Sequence, residues 1–297
     1  MMEGLEALLT SAIDAWSSFG RLIQSQQAAW ALLSSTAIVG ALGAYFGSVG
    51  AQRIVSRENK HRRRREALMA VNAAHSLTTV VINQAAAVKK QYHLPAKERW
   101  DEQRQRVVDA GERTEVVEVA LHFQTPPTVF FPINALADLI YGKLALNGRP
   151  LGALAELVQA EQAMTALTAD FRAVRRDLEQ QPLEQAVLKY LAIETPTGQD
   201  TRFRDLCHGF VDIIDDLLFF AGILGRDLLE YGESIREHAS RRERRSLPLL
   251  NEPGKIQPGY EYLIPDHDHH KRWRDAHVMI RSKPKGSWRR LWDAVRP

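Results

Sequence analysis

The chain has a single cysteine, Cys207, in 297 residues. That excludes an intramolecular disulfide and any zinc site built from several thiolates, and it fits a reducing compartment. Signature loops are missing as well. There is no GxxxxGK[ST], no GxGxxG, no HExxH and no GxSxG, so the phosphate-cradling, zinc-peptidase and serine-hydrolase chemistries served by those spacings have no local support. Neither sign of charge dominates: 39 lysines and arginines face 36 acids, for a net charge of +3. A mean hydropathy of −0.29 excludes a polytopic membrane protein, although one spanning segment can hide inside such an average.

The small net charge conceals an uneven distribution. From Ala239 onward there are 14 lysines and arginines against 7 acids, so the end of the chain carries +7 and the rest −4. A second basic zone, Arg53 to Arg65, holds seven cations and one acid, Glu58. Local basic zones on a near-neutral body point to anionic surfaces.

Directly before that second zone lies Ala28 to Gly50, AAWALLSSTAIVGALGAYFGSVG, 23 residues without an ionisable group. As a helix it would cover ~34 Å, enough for a hydrocarbon layer of ~30 Å. Cations close to a span are retained on the cytoplasmic side. The expected arrangement is therefore a single transmembrane helix with the N-terminus outside and the remainder cytoplasmic. Gly40, Gly43, Gly47 and Gly50 recur at spacings of 3, 4 and 3, which places them on one helical face where a second membrane helix can approach closely. Residues 1–27 carry Leu5, Leu8, Leu9, Ile13, Trp16, Phe19 and Ile23 at helical spacing, the pattern of an amphipathic segment on the outer membrane face.

Beyond the anchor, no glycine or proline occurs between Ala51 and Leu94. Ala67, Val71, Ala74, Thr78, Val81, Ala85, Val88 and Tyr92 follow a 4-3 spacing. This predicts a long helix over 51–94, continuous with the anchor as a rod of ~100 Å and ended by Pro95. Its seam of small residues suits burial beneath the chain's own later helices, with pairing to a second copy as the alternative.

The 95–238 region reads as a bundle. A charged helix is expected after Pro95, and EVVEVALHFQ alternates at period two and is the best strand candidate, although a helix also fits. Helices are then predicted from Pro132 to Asn147-Gly148, from Leu151 to Gln181, from Pro182 to about Ile193, and from Arg202 to about His238. The expected fold class is mainly α: one N-terminal transmembrane helix continuing into a long helix, plus a cytoplasmic antiparallel helical bundle.

GAYFGSVGAQRI followed by the basic run, KKQYHLP, LIYGKLALNGRPL and DDLLFFAGILGRDLLEYG together resemble a group of bacterial single-pass membrane proteins with a cytoplasmic helical domain. The likeness covers about residues 37–235. It implies an inner-membrane setting and the same architecture, and it carries no activity.

Two clusters invite a metal reading. Asp205, His208, Asp212, Asp215 and Asp216 share the last long helix, the first four on one face. A bundle metal site also needs a second Glu-x-x-His from a facing helix, which no helical segment supplies, so an acidic stripe or salt bridges explain this face more simply. Asp266, His267, Asp268, His269 and His270 are all of ligand type, yet adjacent ligands in a proline-rich basic tail describe a solvated loop better than a shaped site. Cys207 falls among apolar neighbours as a buried thiol. No cofactor is implied.

The 239–297 tail interleaves Trp273, Trp288 and Trp292 with Lys271, Arg272, Arg274, Arg289 and Arg290. Basic plus aromatic suits anionic lipid and, less economically for an anchored chain, single-stranded nucleic acid. The residues assigned to lipid contact are Arg53, Arg57, Arg62, Arg63, Arg64, Arg65, Trp288, Arg289, Arg290 and Trp292. The expected role is a membrane-anchored, noncatalytic scaffold, adaptor or signal relay that meets lipids, an unidentified protein and a second copy of itself. The rivals are a membrane-perturbing effector assembled through the glycine face and a metal-dependent enzyme.

Overall fold

The computed structural model describes residues 36–113, 117–196, 198–252, 261–265, 268 and 270–277. The chain divides into two compact units, residues 1–63 and residues 64–297. Among the described residues the structure is mainly helical and has no strand. No helix among them is long and apolar enough to cross a membrane. The stretch expected to do so starts at Ala28, and its residues 28–35 lie outside the described residues, as does the whole 1–27 segment.

Helix α1 runs from Thr36 to Val88, as the absence of helix breakers predicts. Pro95 does not end the helical path. A π-helical turn, Lys89–His93, follows α1, and α2 continues from Leu94 to Arg113. The turn is closed by a hydrogen bond from the Leu94 N–H to the Lys89 carbonyl, five residues back. In a regular α-helix the proline ring would meet the carbonyl four residues before it, and proline has no N–H to offer. Widening the preceding turn by one residue relieves that conflict.

The small-residue seam of α1 is the core. Val71, Ala74, Val81 and Ala85 have no solvent-accessible surface, and Thr78 is buried with them. Their cover is the chain's own later helices: they cluster with residues of α3 (Ile133–Lys143), α4 (Arg149–Glu179) and α6 (Arg202–Glu237). Contacts along α1 and α6 show an antiparallel pair. Val71 and Thr78 lie against Gly232 and Gly225, Lys89 reaches Asp215, and His93 stacks on Phe210. Helix α4 also runs against α6, with Arg149 at Asp227 and Phe171 at Phe203 and Phe210. The antiparallel bundle thus stands, with α6 at its centre.

Local signals place these helices well. Pro132 precedes α3, and its carbonyl accepts from the Leu136 N–H. Gly148, at φ +67°, turns the chain into α4, whose second residue is Pro150. Pro182 precedes α5 (Leu183–Tyr190). Helix α3 stops at Lys143, earlier than its pattern predicts, because Leu144 is already extended.

The segment read as a strand or a helix is neither over its described residues, which start at Val117. Residues 117–131 are irregular and have no ladder. The period-two pattern nevertheless survives as burial: Val119, Leu121 and Phe123 pack on a second apolar cluster while Glu118, Ala120 and His122 are exposed. That cluster joins Trp100 of α2, Phe171 of α4, Tyr190 of α5 and Phe203 of α6, and the Trp100 indole N–H donates to the Tyr190 carbonyl at 2.7 Å.

The chain after α6 is strapped back onto the bundle. A four-residue helix, α7 (Arg241–Arg244), starts with a capping box between Ser240 and Glu243. Asn251 donates twice to Asn72: its N–H to Asn72 Oδ1 at 3.0 Å and its Nδ2 to the Asn72 carbonyl at 3.0 Å. A 3-10 turn, Glu261–Leu263, and a short helix, α8 (Lys271–Ala276), follow.

Candidate functional site

Four side chains of one α6 face, Asp205, His208, Asp212 and Asp215, together with Asp216, form the strongest concentration of chemistry in the sequence. Folding divides them among separate partners. Asp205 accepts from the Thr201 hydroxyl at 2.7 Å and from Arg204. His208 Nε2 lies 3.3 Å from Asp101 of α2, and Asp212 is exposed. Asp215 accepts from Lys89 Nζ at 2.5 Å, and Asp216 accepts from the Nε2–H of His270 at 2.7 Å. A metal ion or a general acid–base pair needs such groups to converge on one point. Among the described residues no three groups of ligand type do so.

What the face does instead is fasten elements together. Lys89 is buried in the π turn and donates a second hydrogen bond to the Leu263 carbonyl at 3.1 Å. One ammonium thus ties the π turn to α6 and to the 3-10 turn. Burial pushes the Asp215 carboxyl up, and the Lys89 ammonium pulls the other way. His93, one π turn further on, is buried against Phe210 at 4.6 Å, and burial lowers its pKa to about 4. It is held neutral as a packing ring.

The tail cluster divides in the same way. Asp266, His267 and His269 lie outside the described residues. Asp268 is exposed, with its carbonyl accepting from the Lys271 N–H. His270 is buried and stacked on Phe219, ring centroids 3.9 Å apart and planes 12° apart. Trp273, interleaved in the sequence with Lys271, Arg272 and Arg274, packs on Phe220 at 5.0 Å and stacks with His277 at 4.3 Å.

Arg53, Arg57, Arg62, Arg63 and Arg65 are exposed, as lipid contact requires. Arg64 is half-buried: its guanidinium donates to Glu243 at 2.9 Å and to the His238 carbonyl at 2.8 Å. Trp288, Arg289, Arg290 and Trp292 lie outside the described residues. Gly40 and Gly43 are helical, and a Cβ built at Gly47 or Gly50 meets none of the described residues within 4 Å. The Cys207 thiol is pushed up to about 12, chiefly by burial, the state of an inert structural thiol.

Two polar ties escaped the sequence reading. Arg149, at the start of α4, pairs through two hydrogen bonds with Asp227, whose side chain has no accessible surface. Lys89 is the other. A signal existed for both: Lys89 follows Ala85 by four residues on the buried seam, and Asp227 sits beside Leu228 on the apolar stripe of α6. A lone charge on an apolar face requires a buried partner, but periodicity does not say which. No protein-family model matches the chain, and no curated protein or solved structure matches it.

Proposed function

We propose that this protein is a noncatalytic scaffold, adaptor or signal relay, anchored by Ala28 to Gly50 in a bacterial inner membrane. Its N-terminus lies outside and its helical bundle in the cytoplasm. The observation that carries this reading is the junction at Gly50: 23 residues without an ionisable group run directly into seven cations within residues 53–65. That order supplies both a span and an orientation. The exposed arginines at 53, 57, 62, 63 and 65 meet anionic headgroups, each contributing about 1 kcal/mol near the surface. The resemblance to bacterial single-pass proteins supports the same layout.

Self-association through Gly40, Gly43, Gly47 and Gly50 belongs to this reading. It is supported by the space around Gly47 and Gly50, where no described residue comes within 4 Å of an added Cβ. The same feature favours a second reading, in which assembled anchors perturb the bilayer. Cell leakage on overexpression, abolished by Gly43→Leu with Gly47→Leu, would select the second. The noncatalytic role is supported by the fate of the α6 acids and histidines, most of which are engaged by separate internal partners.

The deciding experiment is alkaline extraction of membranes combined with protease accessibility in spheroplasts carrying a C-terminal reporter. Resistance to extraction with a protected C-terminus is the expected outcome. Release into the soluble fraction would sink the anchor reading, and an accessible reporter would reverse the orientation.

A further inference from the structure

Residues 270–277 read, in the folded chain, as a ligand laid on its own receptor. His270, Trp273 and His277 are spaced by three and four, so one turn of helix brings them to one face, while Lys271, Arg272 and Asp275 are exposed. All three rings meet the bundle or one another. His270 lies flat on Phe219 and edge-on to Phe220 at 5.4 Å, and its Nε2–H donates to Asp216. Trp273 meets both phenylalanines, at 6.2 Å and 5.0 Å. His277 stacks on Trp273 above Gly152 of α4, where an added Cβ would lie 3.1 Å from the His277 ring and 3.5 Å from Trp273. The seat is therefore a groove between α4 and α6 with an aromatic floor from Phe219 and Phe220 and a glycine gap at 152. Recognition of an amphipathic helix through anchors one turn apart has this form.

Among the described residues the segment meets the bundle through side chains, without backbone pairing to it. The rings are joined there by the His270–Asp216 hydrogen bond and, upstream, by the bond from Lys89 to the Leu263 carbonyl. Trp273 Nε1 is buried with no hydrogen-bond partner among the described residues, so docking leaves one donor desolvated without compensation. Such an occupant is displaceable.

We propose that the α4–α6 groove is a docking surface for an amphipathic aromatic helix and that residues 270–277 are its intramolecular ligand, a clasp that closes the groove until it is displaced. The proposal is independent of whether Ala28 to Gly50 crosses a bilayer. Release of the clasp uncovers Phe219 and Phe220, which are only 5% exposed while it is docked.

The test uses full-length protein in detergent micelles and, as probe, a fluorescein-labelled synthetic peptide of residues 261–277. His270→Ala with Trp273→Ala vacates the groove. That variant is expected to keep its far-UV circular dichroism and a cooperative thermal transition at a lowered midpoint, and to be cut by trypsin after Lys271 and Arg272 at least about tenfold faster, because cleavage follows the open population. It is also expected to bind the peptide at least about tenfold more tightly than wild type, whose own clasp competes at an effective concentration of about millimolar. Gly152→Leu, which fills the seat from the other side, should speed trypsin cleavage and abolish peptide binding. A folded double variant that ignores the peptide overturns the proposal. So does cooperative loss of the whole fold in both variants, since the segment would then be part of the core and not a ligand of it.

Discussion

Helix α6 contains a matched pair of glycines that should respond to one substitution with opposite signs. Gly222 is exposed, and an added Cβ there meets none of the described residues within 4 Å. Gly232 is buried, and an added Cβ would lie 2.5 Å from Leu250 Cδ2 and 3.1 Å from Val71 Cγ1. Both positions are helical with no left-handed φ, so Gly→Ala gives each the same helical preference, roughly 0.5–1 kcal/mol. At Gly222 that gain stands alone, and the thermal midpoint should rise by about 2–4 °C per kcal/mol for a body of this size. At Gly232 the Leu250 tip can rotate away, but Val71 has no accessible surface and no room to shift. Overpacking of that kind costs about 1–3 kcal/mol. Because the helical term cancels, the difference between the two variants isolates the packing cost, and about 1–3 kcal/mol is expected. Urea titration followed by circular dichroism measures both on the same protein. If Gly232→Ala stabilises as much as Gly222→Ala, then Leu250 and Val71 do not close on α6, and the seat of the 247–252 strap is wrong.

Asp227→Ala should be among the more damaging single changes, at about 2–3 kcal/mol in urea titration, because it leaves the half-buried Arg149 guanidinium without its carboxylate; a loss below about 1 kcal/mol would show the pair to be solvated. His93 has a definite pH signature. Its folded pKa of about 4 lies below the unfolded 6.5, so its contribution is fully present above pH 6.5. It is lost as the pH falls towards 4, where the unfolded chain binds a proton that the folded chain refuses, by up to about 3 kcal/mol. Burial lowers His75 as well, with the same sign, and raises Asp215, with the opposite sign. The clean measurement is therefore the difference in urea midpoint between wild type and His93→Phe at pH 7 and pH 4.5, and a pH-independent difference would refute the assignment. Cys207, raised to about 12, should resist a maleimide in the native protein and react on unfolding. Rapid native labelling would place it at the surface.

The helices that carry the bundle were legible because their signals are local. Pro132 and Pro182 precede α3 and α5, and the apolar period of 203–231 predicts α6 to within one residue of its observed end at Glu237. The 4-3 run of small residues from Val71 to Ala85 marks a packing seam, and that seam is buried. Local signals failed where two of them conflict. Pro95 says stop, while the flanking composition says helix, and the π turn at Lys89–His93 satisfies both. In 117–131 the alternation is correct as a burial pattern, yet a strand requires a neighbour's hydrogen bonds, and none of the described residues supplies them.

By itself, then, the amino-acid order determined an uncharged stretch joined to a basic block, a largely helical body, the ends of most helices and which face of each is apolar. All of these follow from backbone propensity and from the period of apolar residues along one element. Only the tertiary structure decided which elements those faces meet. It joined Lys89 to Asp215, His270 to Asp216 and Arg149 to Asp227, separated by 126, 54 and 78 residues. It also turned Trp273, which composition places in a basic, lipid-suited tail, inward onto Phe220. The physical reason is that a buried charge or ring must find a complement of matching shape and sign, and that complement is selected by the packing of the whole chain.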